Sequence, residues 1–183
     1  MKALTDAELL LLGLAAEMPR HGYEFDQVIQ HRGMREWTQI GFSSIYFVLG
    51  KLQKHGLVRS KKPAGVEAGA KSRRVYSVTP AGRRELVAQT LTALREVRPA
   101  FSSILLGMIN WSVLNRAEAL EALEARRQAV ELELTRLGAI QVAQQPLPDH
   151  VEALFEYSLG QLRAEAEWVS RTLAYMASKP WLE

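Results

Sequence analysis

Apolar side chains recur along this chain mostly at spacings of three and four residues, which is the period of amphipathic helices. The segment 43–54 shows the pattern most clearly, because its apolar residues form one stripe: Ile45, Val48, Leu49 and Leu52. A helix of this kind buries its stripe in a core. Its opposite side should be free to contact a partner, and on a helical wheel that side carries Ser43, Phe47, Gly50, Lys51 and Lys54.

Two further helices are predicted before this segment. Thr5-Asp6-Ala7-Glu8 has the spacing of a capping box, so the first helix should begin there and run to about Glu17. Pro19 ends it, and a turn at Gly22 should lead into a second helix over about 23–31. Together with the helix over 43–54, these form a three-helix core.

A β-hairpin should follow the third helix. Gly56 stands just past the expected helix end, and β-branched or aromatic runs at 57–62 and 73–78 flank a Gly-rich loop. Thr79 and Pro80 then restart a helix as its N-cap and first residue. Three helices followed by a hairpin wing form the core on which many DNA-binding domains carry a recognition helix.

The half after Pro99 predicts a short apolar helix and then two long ones. Asn115-Arg116-Ala117-Glu118 is another capping box, and a Pro-rich turn at 144–148 separates the long helices. The first long helix has an apolar seam that only Arg127 interrupts: Leu120, Leu123, Val130, Leu134 and Leu137. The second has a cleaner seam: Phe155, Leu159, Leu162, Ala166, Val169, Leu173 and Met176.

These seams allow two interpretations of how the long helices pack. The long helices could simply pack on each other in a monomer. A two-helix hairpin has little interior, however, so we expect the seam of the second helix to form a homodimer. The predicted fold is mainly α with a small β-hairpin, divided into an N-terminal winged helix-turn-helix domain over 1–98 and a C-terminal antiparallel helical hairpin domain over 99–183.

Charge separates the two halves. Residues 1–98 hold 16 Lys or Arg against 9 Asp or Glu, whereas residues 99–183 hold 7 against 11. Between positions 51 and 84 there are ten basic residues and a single acid, Glu67. Because so one-sided a run repels itself, the expected partner is a polyanion such as nucleic acid, although a merely basic surface would have the same composition.

Several other classes of function find no support in the sequence. The absence of cysteine excludes disulfides and thiolate metal sites. The four histidines lie far apart in sequence, so no metal or other cofactor is expected. No phosphate-binding loop or nucleophile motif indicates an enzyme. The longest apolar run, 9–16, is too short to span a bilayer, so we expect a soluble, cytoplasmic protein.

Over about residues 4–90 the sequence resembles the PadR family of winged-helix transcriptional regulators. The resemblance rests on IYFVLGKLQKHGLV at 45–58 and RRVYSVTPAGRREL at 73–86, which follow the family's third helix and its Tyr…Thr-x-x-Gly-Arg…Leu restart. Leu9–Leu14 and His21-Gly22-Tyr23 look like the first helix and the turn before the second. Phe47 and Gln53 depart from the family's common residues, so its base preference is not carried over.

The resemblance implies a dimeric regulator of transcription, most simply a repressor that leaves its operator when a small molecule binds. The third helix would place four residues nearest the bases: Ser43, Ser44, Phe47 and Lys51. Phosphate contacts are expected from Tyr46, Lys54 and the wing residues Lys71, Arg73 and Arg74. Tyr46 could instead pack against the wing, and Phe47 could be buried against the hairpin.

Family resemblance also suggests an effector, because some relatives bind phenolic or other aromatic ligands. Trp111, Trp168 and Trp181 could line a pocket for such a molecule, although buried tryptophan more often belongs to a core. A different class of function is a helical adaptor that uses both halves for protein contacts. A salt titration separates the classes, because DNA binding weakens by about 0.9 log units per phosphate contact for each tenfold increase in salt.

Overall fold

Seven α-helices and three short strands form the part of the chain that this computed structural model describes, residues 3–61, 74–97 and 101–179. The chain divides into two compact units, Met1–Pro99 and Ala100–Glu183. The first contains α1 (Asp6–Glu17), β1 (Arg20–His21), α2 (Gly22–His31), α3 (Phe42–Lys54), β2 (Val58–Lys61), β3 (Val75–Val78) and α4 (Pro80–Arg95). The second contains α5 (Ser103–Ile109), α6 (Arg116–Ala143) and α7 (Asp149–Ser178). The predicted mainly α fold with a small β-hairpin is confirmed.

The core of the first unit is built from the apolar stripes of its helices. All four residues of the predicted α3 stripe are buried, together with four residues of α1: Leu11, Leu12, Leu14 and Ala15. From α2, Phe25 is fully buried and meets Tyr76 of β3 edge to face, with ring centroids 6.3 Å apart. Burial of apolar surface stabilises by about 25 cal/mol per Å², so the buried stripe is the side by which α3 is held in this core.

Local signals set the helix ends as predicted. In the capping box of α1, the Glu8 N–H donates to the Thr5 hydroxyl at 3.3 Å and the Thr5 N–H donates to the Glu8 carboxylate at 2.8 Å. Gly56 follows α3 with a φ of 70°, a left-handed conformation that glycine adopts without strain. Thr79 caps α4, because its hydroxyl accepts the Gly82 N–H at 3.0 Å.

The wing sheet contains a third strand that the sequence pattern did not predict. β2 and β3 pair antiparallel as expected, and β1 lies on the other side of β3, with Arg20 opposite Tyr76. Arg20 is only 5% exposed, and its guanidinium donates to the Leu14 carbonyl at 3.2 Å and to the Glu17 carboxylate at 2.7 Å. The residues after Pro19 therefore do more than turn the chain, because Arg20 satisfies a carbonyl at the end of α1 and joins the sheet.

In the second unit, α6 and α7 form an antiparallel hairpin. Gln141 near the end of α6 donates to Glu152 near the start of α7 at 2.8 Å, and Arg116 at the start of α6 donates to the Met176 carbonyl at 3.1 Å. The predicted capping box at Asn115 is confirmed. Long as these helices are, none in the described ranges is both long and apolar enough to cross a bilayer.

The seam that predicted a homodimer is already used inside one chain. Phe155, Leu159 and Val169 are 0%, 3% and 0% exposed in a single chain, and the other seam residues are half-buried: Leu162, Ala166, Leu173 and Met176. The element packed against them is α6, whose own buried residues are Ala119, Leu123, Val130 and Leu137. Three of the seven seam residues are therefore fully covered within one chain and the other four are partly covered, and the homodimer itself stays a prediction.

Arg126, and not Arg127, reaches across the hairpin. Its guanidinium pairs with Glu165 of α7. Arg127 instead donates to Glu124 at 3.0 Å and to Glu131 at 2.8 Å, both on its own helix. Arg126 and Arg127 lie three and four residues after Leu123, and both spacings fall on the same helix face. The sequence pattern therefore could not show which of the two arginines reaches α7.

Candidate nucleic-acid interface

The uncovered side of α3 is the candidate interface. We call four exposed residues on it the α3 outer face: Ser43, Phe47, Gly50 and Lys54. Phe47 is 74% exposed, which rules out the alternative that it is buried against the hairpin. Ser44 is also exposed, in the first turn of the helix. A phenyl ring can contact a thymine methyl group and an ammonium can contact a phosphate, so this surface has the chemistry to bind duplex DNA.

Tyr46 lies on a flank of α3 beside this face. Its half-buried ring meets Phe42 edge to face, with centroids 6.0 Å apart. It also packs so closely on Gly22 that a Cβ at that position would lie 2.5 Å from a ring carbon. The Tyr46 ring thus packs against the start of α2, and this contact explains the glycine in His21-Gly22-Tyr23. The phosphate contact of Tyr46 stays a prediction.

Lys51 occupies a different position from the one predicted. Its ammonium lies 2.8 Å from the carboxylate of Glu8, which is 3% exposed. Burial raises the pKa of Glu8, but the hydrogen bonds from Lys51 and Thr5 outweigh it, so the pKa of this carboxyl group is lowered. We therefore remove Lys51 from the residues expected nearest the bases, because it ties α3 to the start of α1.

A signal in the sequence could have revealed this pair. Glu8 precedes Leu11 and Ala15 by three and seven residues, which places an acid on the buried stripe of α1. A buried carboxylate requires a cation or must become neutral. Which cation it meets depends on how α1 packs on α3, and that was not visible in the spacing.

Replacing Lys51 with methionine should lower the free energy of unfolding at pH 7 by about 2 kcal/mol. Breaking a fully buried pair costs roughly 3–5 kcal/mol, and the value is reduced here because the Lys51 side chain is 37% exposed. The lowered pKa of Glu8 means that the pair stabilises the fold above the unfolded pKa of about 4.3, and that this contribution disappears as pH falls through the folded value. Urea unfolding should therefore show a difference from wild type that shrinks below about pH 4.

Lys54→Met is the matched control, since it makes the same change on the same helix at an exposed position. It should leave the unfolding free energy nearly unchanged and weaken DNA binding. Equal losses of stability in the two variants would show that the Glu8–Lys51 pair contributes nothing particular.

Basic side chains also occupy the wing strands. Arg59 and Lys61 of β2 are exposed, and Arg74 immediately precedes β3. Lys61 is paired with Val75, so Lys61 and Arg74 lie at the same end of the sheet. Two of the predicted phosphate contacts fall outside the described residues: Lys71 and Arg73.

One of the tryptophans predicted to line an effector pocket lies in the wall of a cavity. Trp111 lines a cavity of about 200 Å³ in the second unit. Trp168 is half-buried on α7 and does not line this cavity. Trp181 falls outside the described residues. Trp111 is thus placed at a cavity, and the roles of Trp168 and Trp181 stay predictions.

Comparison with known proteins agrees with the fold. The family model described as the transcriptional regulator PadR-like family matches residues 11–88, which confirms the resemblance. Bacillus subtilis PadR in complex with operator DNA aligns with a TM-score of 0.71 at 18% identity, over 92% of this chain and 98% of that chain. The same protein in complex with p-coumaric acid aligns with a TM-score of 0.73 at 19% identity, over 93% of this chain and 98% of that chain. The PadR-like regulator BC1756 from Bacillus cereus aligns with a TM-score of 0.69 at 16% identity, over 96% of this chain and 100% of that chain. No curated protein matches the chain significantly.

Proposed function

Because residues 11–88 belong to the PadR-like transcriptional regulator family, we propose that this protein binds a palindromic operator in double-stranded DNA as a homodimer and represses transcription until a small molecule binds. The observation that carries the proposal is the α3 outer face, an uncovered helix surface in the half of the chain that holds 16 Lys or Arg against 9 Asp or Glu. In this proposal 1–98 is the DNA-binding domain and 99–183 the dimerisation and effector domain.

In the proposed complex, α3 enters the major groove with Ser43, Ser44 and Phe47 nearest the bases. Lys54 and Tyr46 contact phosphates from the end and the flank of the helix, and the wing adds further cations. Base contacts carry the sequence preference, whereas phosphate contacts position the helix. Lys51 is assigned neither a base contact nor a phosphate contact, because its ammonium pairs with Glu8.

A genome-wide binding footprint tests the proposal. A two-fold dimer should protect two half-sites related by a palindrome and separated by about one helical turn, roughly 34 Å, or a multiple of it. The affinity for such a site should fall steeply with salt, by about 0.9 log units per phosphate contact for each tenfold increase. A helical adaptor that binds proteins would yield no enriched palindrome and a shallow salt dependence.

Phe47→Ala should reduce discrimination between operator and random DNA by about 1–3 kcal/mol, because it removes an apolar base contact. Folding should be nearly unaffected, since the ring is 74% exposed. Fluorescence anisotropy with both DNAs measures the difference. Tyr157→Ala, which removes a ring that is 66% exposed on α7, is the control and should change neither affinity. If Phe47→Ala weakens operator and random DNA equally, Phe47 does not read bases.

Replacing Lys61 and Arg74 together with alanine should weaken binding equally on operator and random DNA. Each lost phosphate contact should reduce the slope of log affinity against log salt by about 0.9. The control removes two cations from α7 instead, Arg163 and Arg171, whose side chains are 60% and 70% exposed. A wing variant with the wild-type slope would exclude the wing as a phosphate clamp.

The dimer contact is proposed on a surface that a single chain leaves uncovered. In α5 no residue is buried, although most of its side chains are apolar. The strongly exposed apolar residues of 101–113 form what we call the α5 cluster: Phe101, Leu106, Ile109 and Val113, at 89%, 64%, 75% and 79%. A helix that is apolar on all sides normally lies inside a protein, which favours a second copy as its cover.

Two observations support the proposed response to a small molecule. One is the cavity lined by Trp111, which is mostly apolar. The other is the solved complex of Bacillus subtilis PadR with p-coumaric acid, a relative of the same fold. The expected effector is therefore a small aromatic molecule, and its binding should lower the affinity for DNA.

A further inference from the structure

A cavity of about 550 Å³ lies in the first unit, where the start of α1, the end of α3 and the first half of α4 meet. The apolar part of its wall includes Leu4, Leu57, Ala81 and Ala88. The rest of the wall carries charged or polar side chains: Glu8, Lys51, His55, Arg84 and Glu85. Small-molecule sites commonly measure about 300–1,000 Å³ and combine an apolar wall with a few polar groups, so this cavity has the size and lining of such a site.

Glu85 of α4 is a buried carboxylate in this wall, and no ion pair neutralises it within the described parts of the chain. It is 8% exposed, and its hydrogen bond is to an uncharged group, because Gln89 Nε2 donates to Glu85 Oε1 at 2.9 Å. The other oxygen, Oε2, has no hydrogen-bond partner in the described ranges and keeps some accessible surface. Since Glu85 is otherwise buried and lines the cavity, a molecule in the cavity can reach this oxygen.

The second buried carboxylate of the wall, that of Glu8, already has its cation. Its Oε1 lies 2.8 Å from the Lys51 ammonium, and its Oε2 accepts the Thr5 N–H at 2.8 Å. The remaining basic residue of the wall, Arg84, is exposed. The buried part of the wall therefore keeps one negative charge without a counterion, that of Glu85, and a buried charge of this kind is costly until a cation meets it.

We propose that this cavity binds a small amphipathic amine whose ammonium group donates to Glu85 Oε2 and whose apolar body packs on Leu4, Leu57 and Ala88. An ammonium supplies both the missing charge and the missing hydrogen bond, and a hydrogen bond between two charged groups is stronger than one between neutral groups. An alcohol supplies only the hydrogen bond, and an acid adds a second negative charge beside Glu85. This site lies in a different unit from the cavity lined by Trp111 and takes a different class of ligand.

Three probes with the same six-carbon chain separate the possibilities: hexylamine, hexanol and hexanoate. Binding to the full-length protein is measured by NMR titration at pH 7, where an alkylamine is charged. Hexylamine should bind about tenfold more tightly than hexanol, because its hydrogen bond joins two charged groups, and hexanoate should bind most weakly. Equal affinities for hexylamine and hexanol, tightest binding of hexanoate, or no binding by any probe would overturn the proposal. No DNA is present, so the result does not depend on the proposed function.

Glu85→Gln tests the carboxylate. It keeps the size of the side chain and an oxygen that can accept from Gln89, but it removes the charge. Hexylamine should therefore weaken to the level of hexanol, and hexanol binding should stay the same. Glu167→Gln is the control, because it makes the same change on α7 at a side chain that is 68% exposed, and it should alter neither affinity. A preference for hexylamine that survives Glu85→Gln would show that another group binds the amine.

Ala88→Phe tests the cavity itself. It narrows the space and leaves Glu85 in place, so it should weaken hexylamine and hexanol alike. Folding should be retained, since Ala88 is exposed. Ala93→Phe, the same change at an exposed position of α4 outside the lining, should weaken neither probe. Hexylamine binding that is unchanged in Ala88→Phe, or reduced equally in both variants, would overturn the assignment to this cavity.

Discussion

Leu106→Asp should make the protein monomeric and weaken operator binding by about 10²- to 10⁴-fold. In a dimer the second DNA-binding head binds intramolecularly, at an effective concentration of about millimolar, and a monomer loses this advantage. Leu106 is 64% exposed in a single chain, so the substitution should not disturb the fold of the protomer. In a dimer contact, however, a carboxylate would be desolvated among apolar side chains, which disfavours association.

Light scattering measures the mass of the protein in solution, and fluorescence anisotropy measures its affinity for operator DNA. Leu132→Asp is the matched control, because Leu132 is 71% exposed on α6 and lies outside the α5 cluster. It should remain dimeric. A chain cut after Arg98 should match the monomeric variant in weak DNA binding, since the first unit has its own core. A wild-type protein that is monomeric at micromolar concentration would show that there is no dimer contact. Equal dissociation of the Leu106→Asp and Leu132→Asp variants would show that the contact is not specific to the α5 cluster.

The seam of α7 is not a suitable target for this test. Val169 is fully buried in a single chain, where α7 packs on α6. A carboxylate there would open the hairpin itself, so loss of the dimer could not be distinguished from loss of the fold. Substitutions in the α5 cluster avoid this ambiguity because its side chains are already exposed.

Gly82→Ala should lower the free energy of unfolding by about 3 kcal/mol, at the upper end of the range for overpacked sites. A Cβ at position 82 would lie 2.0 Å from the carbonyl oxygen and 2.8 Å from the carbonyl carbon of Leu57, and backbone atoms cannot move aside as a flexible side chain can. The same Leu57 carbonyl accepts the Thr79 N–H at 3.0 Å, and the Thr79 hydroxyl bonds the Gly56 carbonyl at 2.7 Å. The methyl group would therefore separate α4 from the turn after α3.

Gly13→Ala is the control for this prediction. Gly13 lies inside α1, and a Cβ there would meet nothing within 4 Å. The substitution should stabilise the protein by roughly 0.5–1 kcal/mol, because glycine in a helix interior is less favourable than alanine. Urea unfolding of both variants measures the difference. Gly82→Ala with wild-type stability would mean that the Leu57 carbonyl and α4 can separate without loss.

Features defined by a few neighbouring residues could be read from the sequence alone. The capping boxes at Thr5 and Asn115 form as predicted, because their hydrogen bonds join residues three apart. The buried stripe of α3 also follows from spacing, since a helix has one fixed period. The α3 outer face was therefore visible in the sequence, as the side that this stripe leaves uncovered.

Choices between distant partners were decided by the tertiary structure. Lys51 lies at the edge of the outer face, and only the packing of α3 on α1 directs it to Glu8. In the second unit, only the packing of α7 on α6 shows that Phe155, Leu159 and Val169 are covered within one chain and that Arg126 pairs with Glu165. Spacing along a helix determines which side chains share a face, but it contains no information about which element will pack against that face. That depends on the free energy of burying two surfaces together, which involves residues far apart in the chain.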